Sequence, residues 1–133
     1  MGSVVVDAQP LIAIIANEPI AAAVEQRLRD HAARGGLVVS AVNWCEVLSM
    51  SQRLLGEFAT ARVTGLVQQV PISVVEVDAV LATYAAEIKT RYGLGPGDCF
   101  AAGLAIATGS PLLTGDTDFL PLAADGLTLD WLE

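Results

Sequence analysis

Short apolar runs alternate with amphipathic stretches along the whole chain. The runs VVVD, LVVS, ISVVEV and PLLT are typical of strands, and LTLDWL supplies a candidate fifth. A segment with helical periodicity follows each of the first three runs. Because helical crossovers make neighbouring strands parallel, this alternation predicts an α/β fold with a mostly parallel sheet of four or five strands flanked by helices.

The helical segments have recognisable ends. Pro19 suits a first helical turn, Asp78 can cap a helix, and Gly35 and Gly56 stand where helices should stop. These signals predict helices over residues 10–16, 19–34, 41–55, 57–70, 79–92 and 99–109.

The length and composition predict one folded domain. A chain of 133 residues fits a single domain spanning residues 1–133, and 53% hydrophobic against 17% charged residues excludes a disordered chain. No apolar run reaches the roughly 20 residues of a membrane span. The first residues, MGSVVVDAQP, lack the basic region of a signal peptide. We therefore expect a soluble, cytoplasmic protein without a membrane partner.

The two cysteines and the single histidine are not spaced in the sequence like the ligands of a metal site. Cys45 and Cys99 are far apart in sequence and have no neighbouring histidines, so we expect reduced, partly buried thiols. His31 stands among charged residues and is expected to be an ordinary surface side chain.

Five acidic residues follow a strand or a loop at the point where a helix begins. They are Asp7, Glu46, Asp98, Asp116 and Asp118. Ligands of parallel α/β folds collect at the carboxyl ends of the strands, where these residues should lie. A structural alternative remains open, because Asp7, Asp98 and Asp116 could each be a helix N-cap.

The acids also have the chemistry of a metal site. Glu46 lies in the apolar stretch AVNWCEVLSM, where a glutamate is seldom buried unless it is paired. Converging carboxylates repel one another, and a bound cation would remove that cost. Oxygen ligands without histidine or thiolate select Mg²⁺ or Mn²⁺ over zinc.

Four segments together carry a resemblance to a known family. They are VVVDAQPLIAII, SAVNWCEV, GPGDCFAAGLAIATG and LLTGDTDFL, in this order. With these segments the chain resembles PIN-domain proteins over essentially its whole length, and its size is similar to that of the stand-alone ribonuclease toxins of the VapC type. The resemblance implies a PIN-like fold and the acidic catalytic quartet Asp7, Glu46, Asp98 and Asp116.

The resemblance also implies roles for residues near the quartet. Asp7, Asp98 and Asp116 would hold the metal together with Asp118, and Phe119 would anchor the last segment in the core. Thr114 is a polar residue beside these acids. Gln9 stands where the family usually has a small hydroxyl residue, and Asn43 where threonine is frequent. Both remain polar, and we expect Thr114, Asn43 and Gln9 to position the ligands or the substrate.

The chemistry that such a site implies is Mg²⁺- or Mn²⁺-dependent hydrolysis of RNA phosphodiester bonds. One ion or two could take part. No histidine or lysine accompanies the acids, so a carboxylate or a water on the metal would transfer the proton. The alternative is a PIN-fold interaction module with weak or no nuclease activity. Other folds with clustered aspartates fit less well, since a receiver domain needs a late lysine and none follows Lys89.

A net charge of -8 argues against binding of RNA, unless the acids of the site are counted separately from the rest of the chain. Five of the 15 acids are site candidates, which leaves ten against seven basic residues. The candidates for contacts with the RNA backbone are Arg53, Arg62, Lys89 and Arg91. The toxin resemblance further implies a cognate antitoxin with a basic segment, and a homodimer.

Overall fold

A single parallel sheet organises the chain in the computed structural model, which describes residues 2–132. The predicted domain boundaries at residues 1 and 133 lie outside this range. The strand order is β3-β2-β1-β4-β5, and every neighbouring pair is parallel. The predicted α/β class is confirmed, including the fifth strand. The strands are β1 (Val4–Val6), β2 (Leu37–Ser40), β3 (Ser73–Val75), β4 (Leu112–Thr114) and β5 (Leu129–Trp131).

Seven α-helices lie in the described part of the chain, between these strands. Two 3₁₀ turns, Gly56–Phe58 and Thr117–Phe119, precede the fourth and seventh helices. The helices are α1 (Ala8–Ile15), α2 (Ala21–Arg34), α3 (Ala41–Leu55), α4 (Ala59–Gln69), α5 (Ala79–Tyr92), α6 (Pro96–Thr108) and α7 (Leu120–Ala124).

Four helix starts differ from the prediction. α2 begins at Ala21, so Pro19 lies before the helix rather than in its first turn. α4 begins at Ala59, because a 3₁₀ turn occupies residues 56–58.

The starts of α1 and α6 follow from their caps. α1 begins at Ala8 because Asp7 caps it, two residues before the expected start at Pro10. α6 begins at Pro96 with Gly95 as its N-cap, since proline is favoured in the first helical turn. The interpretation of Asp98 as an N-cap is therefore wrong, because Asp98 lies inside the first turn.

The three central strands β2, β1 and β4 are buried between two apolar layers. Val4 and Val6 face a cluster formed with α1 to α4, whereas Val5 faces a cluster formed with α5, α6 and α7. This alternation follows from the two-residue period of a strand, and both faces are covered as expected for a parallel sheet. Phe119 is fully buried in the second cluster, so its predicted role as an anchor is confirmed.

The strand order reverses at β1. Chain connections lead from β1 to β2 on one side, while β4 returns to the other side of β1. The backbone N–H of Asp7 still donates to the carbonyl of Leu113, 3.1 Å away, which fixes the ends of β1 and β4 side by side. A crevice at such a reversal is the usual ligand site of an open parallel sheet.

Several minor expectations are corrected by the structure. Cys99 is buried, but Cys45 is exposed rather than partly buried. His31 is not an isolated surface residue, because its Nε2 lies 2.5 Å from a carboxylate oxygen of Asp130 in β5. Arg27 from the same helix pairs with that carboxylate as well. Within residues 2–132, no helix has the length and apolar character needed to cross a bilayer.

Candidate active site

Asp7 is the buried centre of the acidic cluster. It directly follows β1, and only 4% of its surface is exposed. One carboxylate oxygen accepts from the backbone N–H of Ala8 at 2.9 Å, and the other accepts from the hydroxyl of Thr114 at 2.9 Å. Burial raises the pKa of Asp7 from 3.8 to about 6, against the lowering effect of these two hydrogen bonds. The N-cap interpretation of Asp7 is thus confirmed, and it does not exclude a ligand role.

The turn after β4 brings Asp116 to Asp7. The hydroxyl of Thr114, itself fully buried, accepts from the backbone N–H of Asp116 at 3.1 Å while it donates to Asp7. Asp116 in turn accepts from the N–H of Asp118 at 2.9 Å and so caps the 3₁₀ turn. The side-chain oxygen of Gln9 accepts from Gly115 N–H at 3.2 Å. Thr114 and Gln9 therefore both form hydrogen bonds to the acidic turn, and their role in positioning ligands or the substrate stays a prediction.

Asp98 reaches the cluster from the opposite side, in the first turn of α6. An acidic side chain at this place interacts favourably with the positive end of the helix dipole. Burial and, after it, the charges of Asp7, Asp116 and Asp118 nevertheless raise the pKa of Asp98 to about 6. Carboxylates from three separate elements therefore repel one another at this edge.

Glu46 lies on α3 beside the start of α6. It is exposed, although the helix around it is apolar. Desolvation still raises the pKa of its carboxyl group, and the charge of Asp98 adds to that effect. The amide nitrogen of Asn43, which is fully buried, donates to Glu46 Oε1 at 3.3 Å and to the carbonyl of Gly97 at 2.9 Å.

The structure brings three of the predicted metal ligands together. One carboxylate oxygen from each of Asp7, Asp98 and Asp116 lies within 4.8 Å of the other two. A set of three carboxylate oxygens fits a hard divalent cation such as Mg²⁺ or Mn²⁺. A bound cation would offset the mutual repulsion that contributes to the raised pKa of Asp7 and of Asp98. Glu46 and Asp118 do not belong to this group of three, and Asp118 is exposed.

The four basic candidates are scattered. Arg62 donates to the backbone carbonyl of Ile14 at 2.7 Å, and Arg91 pairs with Asp125 at 3.4 Å and lies over the Tyr92 ring. Arg53 and Lys89 are exposed. A role of these residues in binding the RNA backbone stays a prediction.

Two glycines beside the acids escaped the sequence reasoning. Gly97 directly precedes Asp98, and Gly115 directly precedes Asp116. A Cβ on Gly97 would lie 2.0 Å from Oε1 of Glu46, and one on Gly115 would lie 2.8 Å from the carbonyl oxygen of Leu132. The repeated Gly-Asp pair was the available signal, because glycine permits a close approach that any side chain would prevent.

The chain is similar to known proteins in sequence and in fold. The model of the PIN domain family matches residues 4–124. A protein named Ribonuclease VapC from Mycolicibacterium smegmatis is 30% identical over 116 residues, which cover 82% of this chain and 88% of that one.

Solved structures with a similar fold are more distant in sequence. VapBC2 from Rickettsia felis, bound to a DNA fragment from its promoter, has a TM-score of 0.81 at 16% identity, covering 98% of both chains. A toxin-antitoxin complex from Klebsiella pneumoniae has a TM-score of 0.67 at 18% identity, covering 88% of this chain and 90% of that one. VapC20 of Mycobacterium tuberculosis, a sarcin-ricin loop cleaving toxin, has a TM-score of 0.72 at 20% identity, covering 95% and 97%. With a family model that spans nearly all of its residues and this VapC relative, the chain belongs to the PIN domain family, as a member of the VapC type.

Proposed function

We propose that this chain is an Mg²⁺- or Mn²⁺-dependent endoribonuclease that acts as the toxin of a toxin-antitoxin pair. The observation that carries the proposal is the convergence of Asp7, Asp98 and Asp116 where the strand order reverses, with carboxylate oxygens within 4.8 Å of one another. Two of these acids have a raised pKa, which is typical of functional sites. The relative named Ribonuclease VapC supports RNA as the substrate.

The three converged carboxylates would hold the metal, and the exposed Asp118 would supply a further oxygen ligand. A divalent cation supplies Lewis acidity, which lowers the pKa of water and offsets the negative charge that develops on the phosphoryl group. The chain itself orients the ligands: the Thr114 hydroxyl fixes one oxygen of Asp7, and the N–H of Asp118 fixes Asp116.

Glu46 is the carboxylate best suited to move a proton. It stands outside the group of three oxygens, so a metal held by those three acids would leave the Glu46 carboxylate able to accept a proton. Its raised pKa brings the group nearer to the operating pH, where a general base is most effective. In this role Glu46 accepts a proton from the attacking water, while Asn43 keeps the carboxylate in place.

The proposal is tested by incubating the purified chain with total RNA, with EDTA or with Mn²⁺, and sequencing the fragments. We expect discrete new ends that require the metal and that disappear with Asp98→Asn. Fragments that form equally in EDTA, or equally with the variant, contradict the assignment. A chain that binds Mn²⁺ and a partner protein but cleaves no RNA would instead be a PIN-fold interaction module.

An antitoxin is the proposed protein partner. Similarity to a toxin-antitoxin complex supports it, and the net charge of -8 suits a partner with a basic segment. A basic side chain inserted among Asp7, Asp98 and Asp116 would neutralise their charge and exclude the metal. The expected result is that a candidate antitoxin inhibits cleavage and that Asp98→Asn weakens its binding at low salt. Binding that is equally strong with this variant contradicts the proposed contact.

We also propose a homodimer, because large apolar side chains remain on the surface. Phe58 is 68% exposed, Val80 61% and Leu54 50%. Large apolar side chains on the surface are available to be buried when two chains associate. Light scattering at micromolar concentration should give twice the mass of 13.8 kDa. A mass of one chain, with and without Mn²⁺, would contradict the dimer.

A further inference from the structure

We infer that Gly97 is a positioning residue: its missing side chain creates the space in which the carboxylate of Glu46 lies against the first turn of α6. This inference rests on the proposed nuclease function for its effect on activity. The contact itself is independent of that function.

The close approach is the first observation. A Cβ built on Gly97 would lie 2.0 Å from Oε1, 2.8 Å from Cδ and 2.9 Å from Oε2 of Glu46. Separations under 3 Å cannot be tolerated between these atoms, so the whole carboxylate group occupies the place of the absent side chain. Any residue other than glycine at this position must displace the end of Glu46.

The glycine is not required by its own backbone. Gly97 is the second residue of α6 and does not have a positive φ, unlike Gly93 and Gly109. Alanine is favoured over glycine in a helix because glycine loses more conformational freedom on folding. The clash partner is the end of a flexible side chain, which can move away. Gly97→Ala should therefore leave the fold intact while it moves the Glu46 carboxylate.

Asn43 provides the second, independent observation. It is fully buried, and its Nδ2 donates both to Oε1 of Glu46 and to the carbonyl of Gly97. One amide thus ties the carboxylate to the backbone segment that carries Asp98. Asn43 fixes the carboxylate by a hydrogen bond, and Gly97 permits the approach that makes this bond possible.

The test is a double-mutant cycle between Gly97→Ala and Glu46→Ala. Cleavage of a fluorophore-quencher RNA pool of random sequence is measured with enzyme in excess, and melting temperatures are measured in EDTA. In the parent, Gly97→Ala should lower the rate about tenfold or more, because a displaced base loses its alignment. In the Glu46→Ala background it should cause no further loss, since no carboxylate remains to be displaced.

The melting temperatures give a readout without activity. In the Glu46→Ala background, Gly97→Ala should raise the melting temperature by about 2 to 4 °C, the usual gain from glycine to alanine in a helix. In the parent the gain should be smaller, because the displaced carboxylate loses the hydrogen bond from Asn43. Gly65→Ala is the matched control: Gly65 lies in α4 with nothing within 4 Å of a built Cβ. It should raise the melting temperature equally in both backgrounds and leave the rate unchanged.

The outcomes separate the two proposals. A parental rate in Gly97→Ala, or the same fold-loss in both backgrounds, overturns the positioning role. If the parent cleaves no RNA, the proposed nuclease function fails, and the melting temperatures still decide the contact. Equal shifts from Gly97→Ala in both backgrounds then show that Gly97 does not act on Glu46.

Discussion

The two halves of the acidic site are held in different ways. The strand half, Asp7, Thr114 and Asp116, is joined by hydrogen bonds in which each carboxylate accepts from a backbone N–H. The helix half is formed by Glu46 with Asn43 and by Asp98 in the first turn of α6. There the carboxylate of Glu46 lies in the space left by a glycine. The strand half therefore belongs to the structural framework, whereas the helix half is packed around charged groups that the framework does not need.

The Gly-Asp pair in each half shows the same contrast. The space beside Gly115 is limited by the backbone carbonyl of Leu132, which cannot move without disturbing the chain after β5. The three atoms nearest to the space beside Gly97 all belong to the Glu46 side chain. A substitution at Gly115 is thus expected to affect the fold, while one at Gly97 affects the arrangement of charges. Within one site, a residue can therefore be required for the stability of the fold, or it can be required only for function.

The largest expected effect is on the rate of RNA cleavage. Variants in the strand half and in the helix half should lower this rate to a similar extent. Asp7→Asn, Asp98→Asn, Asp116→Asn and Glu46→Gln should each lower RNA cleavage by about a thousandfold, since metal catalysis contributes several kcal/mol. Asp118→Asn should cost less, because this exposed acid lies outside the group of three. Initial rates with Mn²⁺ measure the effect.

Glu57→Gln is the control for this series, since Glu57 is an exposed acid on the 3₁₀ turn before α4. It should retain the parental rate. Near-parental cleavage by any one of the four variants would remove that residue from the catalytic set.

The next effect is a pH dependence of the metal-free protein. Because the folded pKa of Asp7 is about 6, above its ordinary 3.8, the folded state binds more protons than the unfolded state between these values. The free energy of unfolding therefore falls as pH rises from about 4 to about 6, and Asp7 accounts for at most about 3 kcal/mol of the loss. Urea unfolding of the parent and of Asp7→Asn in EDTA should show a stability difference that changes over this window. A difference that is constant from pH 4 to pH 7 would contradict the raised pKa.

Much of this fold could be predicted from the sequence, because its periodic patterns report local structure directly. The strand runs, the cap at Asp78 and the stop at Gly56 all depend on near neighbours in the chain. The start of α6 was misplaced because Pro96 and Asp98 are both acceptable near a helix start. In the structure the helix takes the earlier of these two starts, with Gly95 as its cap.

For the site, the sequence indicated candidate residues better than it indicated how their side chains are arranged. Strand ends and a resemblance were sufficient to identify the acids, but the exposure of Glu46 and its contact with Gly97 depend on how α3 lies against α6. The double contact of the Thr114 hydroxyl likewise requires β1 and β4 to be neighbours. Apart from the repeated Gly-Asp pair, such tertiary contacts leave no signal in a single sequence.

A bound metal ion should contact carboxylates of both the strand half and the helix half. Mn²⁺ binds the folded, ionised site and should raise the free energy of unfolding at neutral pH by about 2.7 kcal/mol at a hundred times its dissociation constant. Asp98→Asn should be as stable as the parent or more stable in EDTA, because Asp98 caps no helix and its charge is repelled by the other acids. The same variant should gain less from Mn²⁺. Equal gains for both proteins in urea unfolding would exclude Asp98 from the metal site.

The smallest expected effect tests the strand half alone. Thr114→Val keeps the shape of a fully buried side chain but removes the hydroxyl that donates to Asp7 and accepts from Asp116 N–H. Loss of a hydrogen bond to a charged group should lower the free energy of unfolding by about 2 kcal/mol. Since this hydrogen bond lowers the pKa of Asp7, its loss raises that pKa further, and the deficit should grow as pH rises through about 6. Thr128→Val, at an exposed threonine just before β5, is the matched control and should change stability by less than about 0.5 kcal/mol. Similar deficits for the two variants, at pH 5 and at pH 7, would show that the strand half is not held by its hydrogen bonds.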